Sequence, residues 1–600
     1  MYGSDKPLPQ TNNVKVATVR QFDGGWDVVD TDLNLSSKYA KRLRNMFRAP
    51  DGSIQLRYGT ALFADFTNIG LLDLVFAKYY NRFIIVVDRT GLIGAANGAG
   101  TVYLIFDDEI ASQQSVGLEQ WLPTDFVSSS EFNGELVLCN GTNKPLLVKK
   151  NLSVGYLQDI PTSSNTYVPI ARYVCTHDQY LVMAGDPAAP SLLHISNKGT
   201  SGTWLGDAAP NDGVQFDLGS FVPSGSSEIT GIASFRDKLV VTFEECVIIM
   251  DLGNYIEDAH NPIVADVIPN YGAVNHHTLQ ALGDDILFMD IVGVPSLARA
   301  LISGSITPDR KSQLIDPAIQ EQLAGLTTGA LREKVFGVIN RRDNQVLYLV
   351  PDASLEQDIT ERVGFMFTYL KKLKVEAWSE IRGWNWTCAA RSSEGRLFFG
   401  KGPRLFRYGD KQDPVYADQV GYQEPFSDET IFSDNTGWTP IADADNSWVS
   451  GLPIAFDWEL PWSDLKKRGN VKTSYYLGLD TAGDAEFAVD MFIDNMLYDT
   501  SQTGEPFTDG EIFTDGTGFD SELAYSPALS MDFVAGGAGA YGASPYGHLY
   551  GDGRSTADER LYAWPCQFKL MKLRVHGATR RPLSIISMSL YHAIGGIRRG

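Results

Sequence analysis

HDQYLVMA, from His177 to Ala184, is a polar turn followed at once by an unbroken apolar strand. The same beat occurs upstream as Asn81-Arg82 before FIIVVD and Asn133-Gly134-Glu135 before LVL. Downstream it returns as Arg236-Asp237-Lys238 before LVVTF, Gly283-Asp284-Asp285 before ILFMD, Asp343-Asn344-Gln345 before VLYLV and Glu394-Gly395-Arg396 before LFFG. Turns spaced roughly 45–60 residues apart, with several strands in each interval, are the pattern of a β-propeller. A blade has sheet faces that it cannot bury alone, so blades stack around an axis. That axis is expected to leave a channel or a pocket. Terminal strands can complete a blade from either end, so the blade count stays open.

Beyond the beats, the expected class is all-β: a propeller-like body with an additional, sandwich-like distal domain. The 600 residues, 44% of them apolar, suffice for several cores. Ser36 or Ser37 is expected to cap a short helix running to Asn45, with basic residues at its end. Asp51-Gly52 predicts a tight turn between two short strands. Asp316-Pro317, followed by Ile319, Leu323 and Leu326, predicts one helix inside the propeller region. After Asp410 the rhythm stops and a near-verbatim repeat appears, EPFSDETIFSDNTGW (Glu424 to Trp438) and EPFTDGEIFTDGTGF (Glu505 to Phe519). AFDWEL, YYLGLD, AEFAVDMFID and LSMDFVA around the two copies are strand candidates, so a duplicated β unit is expected.

Charge excludes one class of function. The net charge of −23 argues against gripping nucleic acid by its phosphates, which takes Lys and Arg. From Glu424 to Asp532 there are 22 acidic residues against four basic ones; from Arg554 onward nine basic residues face two acidic. The five cysteines lie far apart without a CxxC pair, which predicts buried free thiols in a chain made in a reducing cytosol without export. No catalytic, cofactor or metal constellation emerges. GxGxxG at Gly537, Gly539 and Gly542 precedes no helix, and Gly469 begins no true phosphate loop. His276-His277 are adjacent and are expected to point to opposite faces of a strand. Asp428, Asp434, Asp509 and Asp515 sit beside hydroxyls that could hold calcium weakly, but turn capping is the better account. Trp384, Trp386, Trp458 and Trp462 could stack on sugars, yet tryptophan in sheets is more often core.

Several phrases together resemble one family. RNMFRAPDGSIQLRYGT (Arg44 to Thr60), NYGAVNHHTLQALGDDILFMDIVGVPSL (Asn270 to Leu297), KVEAWSEIRGW (Lys374 to Trp384) and GGIRR (Gly595 to Arg599) are similar to signatures of tail nozzle proteins of short-tailed bacteriophages. The resemblance implies a hexameric ring below portal and adaptor rings, with no catalytic residues and no cofactor. It implies a virion protein assembled in the host cytoplasm, partnered by the adaptor ring and by tail fibre or tip proteins. Double-stranded DNA would pass through without specific binding, and no stable membrane insertion is expected.

The chain then divides into a docking segment with the first strands (1–65), a propeller of about six to seven hairpin units (66–410) and the acidic duplicated β domain (411–535). A glycine- and tyrosine-rich loop (536–553) and basic strands returning to the body (554–600) complete it. Asp428, Asp434, Asp509 and Asp515 are channel-lining candidates. Arg44, Arg57, Arg580, Arg581, Arg598 and Arg599 are candidates for subunit or adaptor contacts. The alternative is a carbohydrate-binding or glycoside-cleaving propeller acting in receptor recognition.

Overall fold

The structure, a computed structural model, describes residues 14–20, 22–31, 34–106, 121, 125–157, 168–202, 204, 213–223, 228–252, 263–283, 285–297, 309–352, 362–370, 372–373, 375–421, 451–465, 470–483, 485–493, 529–534, 560–568 and 570–594. The beats are hairpins. Asn81 and Arg82, Asn133 and Gly134, and Asp178 and Gln179 all have positive φ, the pairing that matches the twist of a two-residue hairpin. Each hairpin joins the first two strands of a sheet, four-stranded and antiparallel in every blade but the sixth. Such sheets span residues 74–106, 128–156, 173–217, 231–269 and 280–310, with strands paired in chain order. A sixth begins at Phe336 and a seventh at Cys388. The seventh sheet takes its outer strand from the N-terminal side: Thr60–Asp65 pairs with Arg404–Tyr408. A seven-bladed ring closed by an early strand is the outcome.

The second strands read as continuous apolar runs because both their faces are covered. Ile85, Val86 and Val87, Leu136 to Cys139, and Leu181 to Ala184 have no exposed surface. An apolar cluster fills each space between neighbouring blades, and the one between the fifth and sixth runs on into the sandwich. Phe76 and Tyr80 meet Leu136 and Leu138, and Val174 and Met183 meet Val137. Val182 and Ile195 meet Ile232 and Val241, and Val247 and Ile249 meet Phe288 and Leu297. Leu287 and Met289 meet Val346 and Tyr348, Leu347 meets Phe399, and Phe398 meets Leu74 and Ala77. The ring is held by lateral burial, which is the dominant favourable term in folding.

The sixth blade does not stop at its fourth strand. Val375–Trp384 pairs in parallel with Arg42–Arg44, and the sheet runs on through Leu452–Glu459, Met571–Thr579, Glu486–Ile493 and Leu529–Val534. A second sheet holds Arg560–Phe568, Lys472–Gly483, Leu583–Ile594, Ile54–Leu56, Met46–Arg48 and Val14–Val19. Ile454, Phe456, Trp458, Val489 and Val575 on one sheet share a buried cluster with Leu477, Leu479, Ile585, Met588 and Leu590 on the other. The sandwich is therefore built from three distant parts of the chain.

That topology corrects three expectations. The described strands between Val14 and Asp65 do not form a unit of their own, because they enter both sandwich sheets and the last blade. The strands after 554 return to the sandwich, where Met571–Thr579 lies between two strands of the acidic section. No helix follows Ser36: Tyr39–Ala40, Arg42–Arg44 and Met46–Arg48 are short strands, drawn out by pairing with distant partners such as Glu459 and Glu380. Helix α1, Asp316–Ala324, lies where Asp316-Pro317 predicts, and a second short helix, α2, Thr328–Lys334, follows it. The four strands expected around the acidic repeat are present. The two repeat copies and the Gly536–Gly553 tract lie outside the described residues.

Asp51-Gly52 makes its predicted turn, with Gly52 at φ +96°. The phrase that follows builds the junction between propeller and sandwich. Arg57 gives two hydrogen bonds to the carboxylate of Asp418, at 2.9 and 2.6 Å, and one at 2.9 Å to Asn45 Oδ1. Its guanidinium lies 4.7 Å from the Trp384 ring centre. Asn45 Nδ2 in turn donates to the carbonyls of Arg382 and Ala455. Gly59 is required by close approach, since a Cβ there would lie 2.0 Å from the Ala417 carbonyl oxygen. Thr60 Oγ1 accepts from the Gln419 amide.

Candidate functional site at the propeller axis

The first strand of each blade stands nearest the axis. Leu74–Tyr80 neighbours Cys388–Arg391, and Tyr173–His177 lies between Ser128–Phe132 and Gly231–Phe235. Near the turn end of these strands the blades are tied by polar side chains. Thr176 Oγ1 donates to the Glu131 carbonyl at 2.8 Å and sits 2.8 Å from Ser130 Oγ. His177 Nδ1 lies 2.8 Å from Ser234 Oγ. Lys78 faces this region with Glu131 and Arg391 as its charged neighbours. Burial, then Arg391, pushes its ammonium below the usual lysine range, against the pull of Glu131.

The other end of the axis is covered. His276 and His277 lie in a 3-10 turn, His276–Thr278, and not in a strand as the sequence suggests. Their ring centres are 5.5 Å apart; His276 packs against Tyr173 and His277 against Phe126. Burial pushes His276 down to about 3 and His277 to about 4, so both are neutral near pH 7. The 3.3 Å contact from the Ile232 amide to His276 Nδ1 fits an unprotonated acceptor.

Helix α2 lies across this end. Arg332 pairs with Glu228 and Glu244 beside the fourth blade, and Glu333 pairs at 2.9 Å with Arg172 beside the third. Asn275, entering the fifth blade, donates to the Leu331 and Arg332 carbonyls. Arg362 of the sixth blade donates to the Lys334 carbonyl. Lys334 also acts on Asp73 before the first blade, where burial raises the carboxyl and Arg89 and Lys334 oppose the rise. A helix tied to so many blades sits over the opening. This corrects the expectation of a hollow working centre: the axis of one propeller is capped.

Beside the cap lies a cavity of about 550 Å³, lined by Asn140, Thr142, Arg172, Asp186, Glu228 and Arg332 among others. Its size suits a small ligand and its walls are polar with charges of both signs. Glu228 and Glu333 in its wall are already paired with arginines. Among the described residues no group of three or more His, Cys, Asp or Glu side chains could hold a metal ion. Cys139, Cys175, Cys246 and Cys388 are buried free thiols, as expected, and burial pushes Cys175 and Cys388 up to about 12.

The predicted site residues do not assemble here. Asp428, Asp434, Asp509, Asp515, Arg598 and Arg599 lie outside the described residues. Arg580 and Arg581 are exposed in the turn between Met571–Thr579 and Leu583–Ile594. Arg44 is half-buried against Glu380 at 3.0 Å. Arg57 is not an outer contact at all, because its guanidinium is spent on Asp418 inside the fold. Trp384, Trp386 and Trp458 are core, which removes them as sugar platforms. Sequence reasoning missed Lys78, Arg172 and Arg332. Only a cation on an innermost strand, as at Lys78, carries a readable signal.

No protein-family model matches the chain, and no curated protein sequence matches it. Among solved structures it is similar to the WD40 repeats of RRP9, at 9% identity over 59% of this chain and 99% of that one, with a TM-score of 0.35. The WD40 propeller domain of Doa1 gives 9% identity, 60% and 98% coverage and a TM-score of 0.35. A streptogramin B lyase gives 10%, 66% and 98%, and 0.33. Likenesses this distant carry no argument about function. The propeller assignment stands on its own sheet order, with seven blades closed by Thr60–Asp65.

Proposed function

We propose that the chain is a structural protomer of a ring-shaped phage tail nozzle, hexameric, without catalytic activity, that guides double-stranded DNA during ejection. The observation that carries this is the junction. The residues by which the sequence resembles nozzle proteins (Asn45, Arg57, Gly59 and Thr60) join propeller to sandwich and close the last blade. A signature used for fastening two bodies suits a building block better than an enzyme. The conduit would run between copies at the ring axis, because the propeller's own axis is capped by α2. Adaptor ring and fibre or tip proteins are the partners, and the virion is the location. Among the described residues no helix is long and apolar enough to cross a membrane.

Mass in solution with negative-stain imaging tests the proposal. A sixfold ring with an axial hole supports it; a monomer at every concentration overturns it. The carbohydrate reading has one observation in its favour, the polar cavity beside the cap. A monomer that binds or cleaves a polysaccharide would establish that alternative.

A further inference from the structure

The cavity of about 550 Å³ beside the cap is closed in by four parts of the fold. Asn140, Gly141 and Thr142 come from the turn after Glu135–Cys139 in the second blade, and Gly185 and Asp186 from the turn before Ala189–Ile195 in the third. Glu228 enters from the link to the fourth blade, and Arg332 and Glu333 from α2. The blade turns come down tightly on the wall. A Cβ at Gly141 would lie 3.1 Å from the Arg172 side chain, and one at Gly185 would lie 2.8 Å from the Tyr173 ring. Tyr173, also in the wall, is 1% exposed, and Arg172, Arg332 and Glu333 act on its hydroxyl electrostatically. That hydroxyl makes no hydrogen bond among the described residues. A buried hydroxyl without a partner is costly, and an oxygen supplied from the cavity side removes the cost.

The charges of the wall narrow the class of ligand. Asp125 pairs with Arg89 at 2.8 Å, Glu333 with Arg172 at 2.9 Å, and Glu228 with Arg332. A net anion would meet four carboxylates, Asp125, Asp186, Glu228 and Glu333, against two guanidinium groups, Arg172 and Arg332. A cation would have to displace arginines already in place. A neutral molecule rich in hydroxyls breaks no pair. Each carboxylate keeps lone pairs, and each guanidinium keeps N–H groups, beyond those used in pairing. The volume lies in the range that holds a small ligand. We propose that this cavity is a binding site for a neutral, multiply hydroxylated molecule of mono- to disaccharide size, held between α2 and the turns of the second and third blades. The site goes beyond the nozzle reading and holds whether or not copies of the chain form a ring.

The test uses the full chain and saturation-transfer NMR with glucose, galactose, N-acetylglucosamine and maltose. Sorbitol is the open-chain polyol arm, and citrate and spermidine are the charged arms. At least one sugar should give a saturable signal at millimolar concentration; saturation by sorbitol alone assigns the site to open-chain polyols. Thr142→Trp fills the cavity from an exposed position, and Glu228→Gln removes a wall carboxylate while Arg332 keeps Glu244. Each should weaken Kd by about tenfold or more. Glu244→Gln disturbs the same arginine from outside the cavity, at an exposed pair, and should leave Kd unchanged. Because α2 supplies one wall, the bound molecule should also slow amide exchange over Thr328–Lys334. The site is overturned by no saturable signal from the sugars or sorbitol, by saturation with citrate or spermidine alone, or by exchange over α2 that binding leaves unmoved. A sugar signal that Thr142→Trp and Glu228→Gln both leave intact also overturns it, by placing the sugar elsewhere on the chain, and leaves the carbohydrate reading itself standing.

Discussion

The propeller and the sandwich are both antiparallel β structure, but they are assembled on opposite plans. Each described strand of the first five blades pairs with its neighbour in sequence, and only Thr60–Asp65 reaches across the ring. In the sandwich, Leu583–Ile594 pairs with Val14–Val19, Ile54–Leu56 and Lys472–Gly483, and almost nothing pairs locally except Met46–Arg48 with Ile54–Leu56 and Glu486–Ile493 with Leu529–Val534. Local pairing leaves a rhythm that recurs in the chain. Distant pairing leaves strands without visible partners. The same physics, burial of alternate faces, is therefore legible in one body and opaque in the other.

The largest expected effect separates the two bodies at their junction. Arg57→Ala strands the Asp418 carboxylate in the interior and should cost about 3–5 kcal/mol, read as a lower urea midpoint. Hydrogen exchange should then rise in the sandwich and the seventh blade, while Tyr180–Asp186 and Lys238–Thr242 in the third and fourth blades keep their protection. Equal loss of protection everywhere would mean that the bodies unfold as one and that the contrast has no energetic counterpart.

A smaller effect should come from the propeller axis alone. His276 and His277 are held at about 3 and about 4, below the ordinary 6.5, so the unfolded chain binds more protons than the folded one between those values. Stability from this source is full above pH 6.5 and is lost as pH falls toward 4. His194, held near 4 by burial, acts in the same sense. Asp290 opposes them: burial raises it to about 7, so its contribution falls as pH rises from about 4 to 7. Comparison of variants isolates the axial pair. His276→Gln with His277→Gln should flatten the loss between pH 7.5 and 5.5 by about 2–3 kcal/mol in denaturant titrations. Parallel pH profiles for wild type and variant would refute neutral burial of the pair.

The smallest effect is confined to one hairpin. Arg82 holds φ +70°, a conformation that costs a side chain and not glycine. Arg82→Gly should stabilise the first blade by about 0.5–1 kcal/mol, visible as a small rise in melting temperature. A fall would show that the Arg82 side chain makes a contribution larger than its backbone strain.

What the sequence revealed follows the same division. The turn signals at Asn81, Asn133 and Asp178 announced their hairpins because two residues decide a two-residue turn. AFDWEL and AEFAVDMFID read as strands, yet nothing in them says that Met571–Thr579 lies between them. The basic stretch before Asn45 looked like the end of a helix; it is extended because Arg42–Arg44 completes a sheet between Val375–Trp384 and Leu452–Glu459. The cap was invisible for a different reason. Helix α2 is too short for a clear period, and its position depends on Glu228, Glu244 and Arg172, which lie far away in sequence. Arg57 looked like an outer contact because an arginine's partner cannot be read from its own neighbourhood. The predicted acidic lining falls outside the described residues.

Closure of the seventh blade by Thr60–Asp65 has a consequence for how the protein is made. That strand leaves the ribosome early, but its partner Arg404–Tyr408 is roughly 340 residues behind it. At elongation speeds of about 5–20 residues per second, the wait is on the order of 20–70 s. During that interval the strand has an open edge, and an identical strand on a neighbouring nascent chain of the same polysome meets the same vacancy. Crowded translation should therefore favour exchange of this one strand between siblings, and slower, sparser synthesis should suppress it.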